Sequence, residues 1–319
     1  MRRTALIGII VLAACSQGTA TTSTSTTTST TTMPATTSST VPDPFPVTVG
    51  LAAGEVTLET RPTRIVSLSP SATEMLFAIG AGDQVAAVDE YSYYPDDAPV
   101  TDLSGFAPNL EAIAAYNPDL VVVSYDADGI VDALGAIGIP VAVLPAVAVL
   151  EDTFTQIEQL GALTGHLDAA VQLSASLEAD VDEIVNSFPE LPEALTYYHE
   201  LDPALYTVTS STFIGQVYSL LGLENIADPA DEDGFGYPQL SAEYVIEADP
   251  DFIFLADAQC CGESPETVAV RPGWGTLSAV TGGRVVEVDA DLVSRWGPRI
   301  VDYLRYVAES VADMMVVSE

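Results

Sequence analysis

Between residues 166 and 188, small or apolar side chains recur at spacings of three and four: Leu167, Val171, Ser174, Leu177, Val181, Ile184 and Phe188. That period places them on one stripe of a helix. Gly165 precedes the stretch and Pro189 follows it, and a proline discourages continuation. At ~1.5 Å per residue the helix runs roughly 34 Å, about the width of a small domain. Two readings fit it: an ordinary surface helix of one large domain, or a rigid strut between two lobes. The flanking pattern decides between them.

Before the stretch, Val47–Glu59 reads as a β-hairpin turning at Ala53-Gly54. Short β-branched runs then alternate with helical periods: RIVSLS (64–69), QVAAVD (84–89), DLVVVSY (119–125) and PVAVLP (140–145). After it the alternation restarts with ALTYYHEL (194–201), LYTVTS (205–210), DFIFLAD (251–257) and RVVEVD (284–289) as strands. SAEYVIEA (241–248) is a short helix, and PRIVDYLRYVAESVADMM closes the chain as a helix. Apolar strands alternating with helices predict parallel sheets covered on both faces. The expected fold class is therefore α/β, with two Rossmann-like lobes, 43–165 and 189–319, joined by one long helix, 166–188. A ligand cleft is expected between the lobes.

The 319 residues carry 46 acidic against 9 basic side chains, every basic one an arginine, for a net charge of −37. Such a surface repels phosphates, which excludes nucleic acid as a natural partner. GxSxG, HExxH and P-loop signatures are absent from the sequence, so no enzyme class is indicated. The start, MRRTALIGIIVLAAC, has a basic end and an apolar run too short to span a bilayer. Leu12-Ala13-Ala14-Cys15 resembles the lipobox of bacterial lipoproteins, which implies cleavage before Cys15 and acylation of its thiol. Residues 16–42 are dominated by Thr and Ser, 19 of 27, and predict an extended tether.

Two cysteines remain, Cys260 and Cys261. Adjacent Cα atoms lie ~3.8 Å apart, closer than the usual ~4.4–6.8 Å of a disulfide. A vicinal disulfide and two free thiols both stay open. His166 and His199 are the only histidines, and neither is near the cysteines in sequence, so no resident metal or cofactor is expected.

An internal echo carries the functional argument. NLEAIAAYNPDLVVV in the first half matches QLSAEYVIEADPDFIFL in the second. Glu111 and Glu243 precede Pro118-Asp119 and Pro250-Asp251 by the same distance, and each Pro-Asp leads into an apolar strand. A single Glu in a first helical turn is explained by the helix dipole, worth ~0.3–1 kcal/mol. A matched pair, one per lobe, suits docking on a symmetric basic partner.

Together with RIVSLSPSATEMLFAIGAGDQVAAVDEYSYYP and RWGPRIVDYL, these segments resemble the substrate-binding proteins of iron–siderophore and cobalamin ABC importers. The likeness runs from about Arg61 to Val311 and is greatest to vitamin B12-binding proteins. It implies two lobes, a rigid connecting helix, and salt bridges from Glu111 and Glu243 to the two permease subunits. It also implies a protein that is monomeric when free, tethered at the outer face of the cell membrane.

In open α/β sheets ligands sit beyond the carboxyl ends of the strands, which makes the strand-end residues the candidates. These are Tyr91 and Tyr93, Phe106, Tyr125, His199, Phe213, Tyr237, and then Asp291, Arg295 and Trp296. The resemblance places one or two of the tyrosines, Asp291 and Arg295 on the ligand. Together they outline an aromatic-walled cleft for a large ligand. Arg295 and Arg299 are the sharpest members, given how few arginines there are, and Arg299 reads alternatively as the partner of an acidic neighbour; His199 reads as a candidate axial ligand for haem or cobalt or as a solvent-facing strand-end histidine. Few arginines and no lysine argue against a densely anionic siderophore. The expected cargo is cobalamin, another corrinoid or a neutral ferric siderophore, with haem as the alternative. An adhesion protein or a hydrolase is the contrasting class.

Overall fold

In the computed structural model, the β-branched runs are strands because their side chains fill both faces of a covered sheet. Described are residues 44–191 and 194–316; Cys15 and the 16–42 tether lie outside them. The hairpin is β1 (Val47–Leu51) and β2 (Gly54–Leu58), antiparallel and paired from Val47–Leu58 to Leu51–Gly54. There follow β3 (Ile65–Leu68), α1 (Pro70–Ala78), β4 (Val85–Val88), α2 (Leu110–Ala114), β5 (Leu120–Val123), α3 (Ile130–Ala136) and β6 (Val141–Val143). Next come the helices α4 (Leu150–Thr164) and α5 (Leu167–Ser187). The second half has β7 (Thr196–Glu200), α6 (Phe213–Leu220), β8 (Glu224–Asn225), α7 (Ala242–Ala248) and β9 (Phe252–Leu255). It ends with α8 (Ala258–Cys261), α9 (Pro265–Ala269), α10 (Ser278–Thr281), β10 (Val285–Glu287), α11 (Ala290–Ser294) and α12 (Ile300–Val316).

The two halves repeat one topology. The first sheet runs β4-β3-β5-β6 and the second β8-β7-β9-β10, with every neighbouring pair parallel. The sequence echo falls at equivalent places in both. Asp119 accepts from the backbone N–H of Thr63 and Arg64 and from the Thr63 hydroxyl, just before β3. Asp251 accepts from the backbone N–H and hydroxyl of Thr196, the first residue of β7. Each Pro-Asp thus pins the start of the neighbouring strand, which gives that part of the repeat a structural cause. Glu111 and Glu243 are each the second residue of their helix, and both are exposed.

One apolar core connects the halves. It runs from Ile65, Leu76 and Val122 through Leu160, Leu163, Ala170 and Leu177 to Phe252, Phe254, Leu304 and Val307. α5 forms as expected, but its buried face is Ala170, Ser174, Leu177 and Ile184; Leu167 and Val171 are exposed. The cause is a close crossing with α4. A Cβ at Gly161 would lie 2.3 Å from the Ala170 Cβ, so the glycine lets Ala170, one position off the expected stripe, enter the seam.

LYTVTS is not a sheet strand. Leu205 has φ +67°, and Thr207 and Thr209 donate their N–H groups to Pro238 and Gly236 of a loop. The sheet edge goes instead to the two-residue β8. Gly161→Val is expected to cost about 1–3 kcal/mol through overpacking of the α4–α5 seam. A urea melt with an unchanged slope and a lowered midpoint would show it.

Candidate functional site

The carboxyl ends of β3, β4, β5 and β6 open onto a cavity of about 750 Å³. Its first wall is built by loops on those ends. Ser69 caps α1 by accepting from the Ala72 N–H, with Pro70 in the first turn, so the chain turns sharply from strand to helix. Gly105 lies against the end of β3; a Cβ there would meet the Leu68 carbonyl oxygen at 2.7 Å. That approach holds Phe106 out over the cavity, 68% exposed. Tyr91 meets Phe106 edge-on at 5.6 Å, and Tyr125 flanks Phe106 at 6.5 Å. The three rings form a contiguous aromatic wall, and all three line the cavity. Asp89, not singled out from the sequence, lines its floor. Its carboxyl is pushed up by burial, against hydrogen bonds from Ser92 and the Tyr91 N–H.

The second wall comes from α11 and the turn after it: Asp291, Ser294, Arg295 and Trp296. It is joined to the first by a chain of polar contacts centred on Glu74. The Glu74 carboxylate is buried and accepts from Arg295 Nη1 at 3.0 Å, Arg299 Nε at 2.9 Å and Arg299 Nη2 at 2.6 Å. Arg295 also donates to the Tyr91 carbonyl and to Asp291, each at 3.0 Å. The Tyr93 hydroxyl donates to Asp291; burial and that carboxylate push the phenol pKa upward. Arg295 lies 4.8 Å over the Tyr93 ring and Arg299 4.0 Å over Tyr94.

Arg295 therefore lines the cavity at 6% exposure with its guanidinium already engaged by three acceptors. It orders the wall and is not a free cation for an anionic ligand. Arg299 is taken up by Glu74 as an acidic neighbour. Trp296 faces the cavity with its Nε1 donating to Gln156 at 3.0 Å. Phe213 is a correction: it is buried and packs edge-on behind Trp296 at 5.8 Å. Tyr237 lies outside this cavity. It packs edge-on to Phe235 in the loop before α7, where the other lobe carries Phe106 before α2.

His199 is the clearest correction. It lies within β7, fully buried, with Nδ1 bonded to the Tyr218 hydroxyl at 2.8 Å. Burial holds the imidazole pKa down to about 3, and the side chain does not line the cavity. Cys260 and Cys261 are paired as a vicinal disulfide in α8. Asp257, just before α8, is fully buried with neither carboxylate oxygen bonded. Burial and the nearby Glu200 charge push its pKa up to about 7. Glu200 is itself gripped by Arg271, which also holds Glu263.

A family model described as periplasmic binding protein matches residues 65–292. The chain belongs to the periplasmic binding protein family. Among relatives, the uncharacterised ABC transporter substrate-binding lipoprotein YvrC of Bacillus subtilis (strain 168) is 32% identical, over 84% of this chain and 86% of that protein. A cobalamin-binding protein of Halobacterium salinarum is 30% identical, over 83% of this chain and 74% of that one. The solved vitamin B12-binding protein BtuF of Vibrio cholerae superposes with a TM-score of 0.68 at 25% identity, over 80% of this chain and 98% of that chain. The haem-binding protein RhuT of Roseiflexus sp. RS-1 shares the fold, with a TM-score of 0.71 at 23% identity over 79% of this chain and 98% of that one. The two-lobed α/β fold and the solute-binding class are those of this periplasmic binding protein family. Among the described residues, no helix is long and apolar enough to cross a membrane.

Two predictions follow from the polar groups. Glu74→Ala leaves Arg299 without its carboxylate and Arg295 with only Asp291 and the Tyr91 carbonyl, and should cost about 3–5 kcal/mol, read as a lowered urea midpoint. The second concerns pH. The unfolded chain loses the Asp257 proton near pH ~3.9, while the folded chain keeps it to about 7. The protonated carboxyl therefore contributes stability that is lost as pH rises from ~4 to ~7. His199 acts oppositely: the unfolded chain takes up its proton near pH ~6.5, the folded one near 3, so stability falls as pH drops through that window. Asp257→Asn separates the two: it should match the wild type at pH 4 and exceed it at pH 8 in urea midpoint.

Proposed function

We propose that this protein captures a metal chelate outside the cytoplasm and delivers it to an ABC importer, with no catalytic step of its own. The favoured cargo is cobalamin or another corrinoid, ahead of a neutral ferric siderophore. The observation that carries this is the cavity itself: about 750 Å³, walled by Tyr91, Phe106, Tyr125 and Trp296, with its one arginine neutralised by Glu74 and Asp291. Flat aromatic faces and no free cation suit a large, largely uncharged ligand rather than a polyanion. The relatives named as cobalamin- or vitamin B12-binding support the same choice. Histidine ligation of haem has no support, since His199 is sealed in the core.

Tyr93, Asp291 and Arg295 hold the ligand-facing wall in this reading, and Tyr237 extends the surface from the second lobe. Glu111 and Glu243, exposed at the same position of equivalent helices, dock the monomer on the two permease subunits. The lobes are assigned to 43–165 and 189–319 with α5 between them. Acylated Cys15 and the 16–42 tether hold the protein at the membrane, as the name of the YvrC lipoprotein supports.

Residues 43–319 mixed with cyanocobalamin and desalted should retain its colour at one-to-one stoichiometry, with haem and a ferric hydroxamate as comparisons. Phe106→Ala should weaken the titrated affinity by about tenfold or more, as loss of a central aromatic anchor does. Retention of none of the three chelates would sink the chelate reading. A double Glu111→Ala, Glu243→Ala variant should keep cobalamin affinity and lose uptake in cells; loss of affinity would remove the docking role.

A further inference from the structure

The Cys260–Cys261 disulfide does not staple the fold. Disulfide stabilisation in the chain-entropy account grows with the length of loop closed, and here the cysteines are adjacent. Both residues are exposed, so they add no core packing, and exposed disulfides are characteristically the labile ones. What the bond does constrain is α8. This helix has a single turn, ended by Gly262 at φ +76°. It lies between two anchors, fully buried Asp257 before it and Glu263, held by Arg271, after it. From its exposed face the Gln259 Oε1 accepts the backbone N–H of Ala290 at 3.1 Å. Ala290 is the first residue of α11, the element carrying Asp291 and Ser294 into the cavity just ahead of Arg295.

We propose that the Cys260–Cys261 pair is a thiol-reversible switch that acts on the cleft wall through the Gln259–Ala290 hydrogen bond. In the oxidised form the bond holds α8 in register with α11. In the reduced form α8 relaxes and the wall loses one of its supports. The chemistry is exchange with a dithiol. One thiolate of the reductant attacks a cysteine sulfur, breaking the Sγ–Sγ bond and forming a mixed disulfide; its second thiolate then displaces the protein sulfur. The protein gains two electrons and two protons, and the reductant leaves as its own disulfide. A disulfide oxidant reverses the step. The consequence for cargo affinity rests on the chelate reading of the cavity; the coupling of α8 to α11 does not.

The test is amide hydrogen exchange on the folded chain in three forms: oxidised, reduced with dithiothreitol, and Cys260→Ser/Cys261→Ser. Exchange at Ala290 should quicken by about tenfold in the last two, the scale of one lost hydrogen bond, with the strands unchanged. Gln259→Ala should give the same acceleration without reduction. Unchanged Ala290 exchange in the reduced and serine forms would overturn the switch, whatever the cavity binds. On the ligand side, cyanocobalamin should bind about tenfold more weakly to the reduced form, within the usual range of site coupling. By reciprocity, bound cyanocobalamin should lower the reduction potential of the pair by about 30 mV. Accelerated exchange with no cyanocobalamin binding by the oxidised protein would support the switch and sink only the cargo reading. Equal affinity in both forms would overturn the effect on the cavity.

Discussion

The buried carboxylate of Glu74 is the constraint on which the arrangement of the site depends. It sits on α1, in the first half, and takes both Arg295 and Arg299 from the second. A carboxylate sealed from water needs its charge compensated and its lone pairs filled, so the two halves are locked where those arginines reach it. The same arginines place everything else on that wall. Arg295 fixes Asp291 and the Tyr91 backbone, Asp291 takes the Tyr93 hydroxyl, and Trp296 follows in the next position. The cavity is thus framed by groups that have already spent their charge on one another, leaving aromatic surface for the ligand.

The apolar core enforces the same geometry from below. It is continuous from one sheet through α1, α4, α5 and α12 to the other, so any hinge motion would expose part of it. With ~25 cal/mol lost for each Å² of apolar surface opened to water, wide opening is disfavoured. The groups on the cavity with the most freedom are the exposed rings Tyr91 and Phe106. The vicinal disulfide fits this picture, since it acts on one element of a wall and leaves the core alone.

The fold was largely legible because strands buried on both faces leave unbroken β-branched runs, as in LVVV (120–123) and FIFL (252–255). What the local pattern misread had tertiary causes. LYTVTS has strand composition, but the left-handed backbone at Leu205 sends it to a loop. Only the first turn of the α5 stripe was drawn one position off, because Gly161, on another helix, decides that Ala170 enters the seam. The aromatic wall was legible because it follows strand ends in sequence. His199 was misplaced because it lies inside β7 rather than beyond it. Glu74 was missed because its partners are 221 and 225 positions away, a distance at which an ion pair leaves no local trace. Asp89 was missed for want of any motif.

Glu74, its two arginines and the shared core predict a pre-set, nearly rigid cleft. The direct measurement is a pair of spin labels, one in each lobe at exposed Ile137 and Val270, read by pulsed dipolar spectroscopy with and without cyanocobalamin. A rigid cleft predicts a distance distribution whose maximum moves by no more than about 1 Å on binding, as in other pre-organised complexes. A shift well beyond about 2 Å, or a broad open population collapsing to a closed one, would show hinge closure. That result would contradict the account in which Glu74, its two arginines and the shared core fix the lobes.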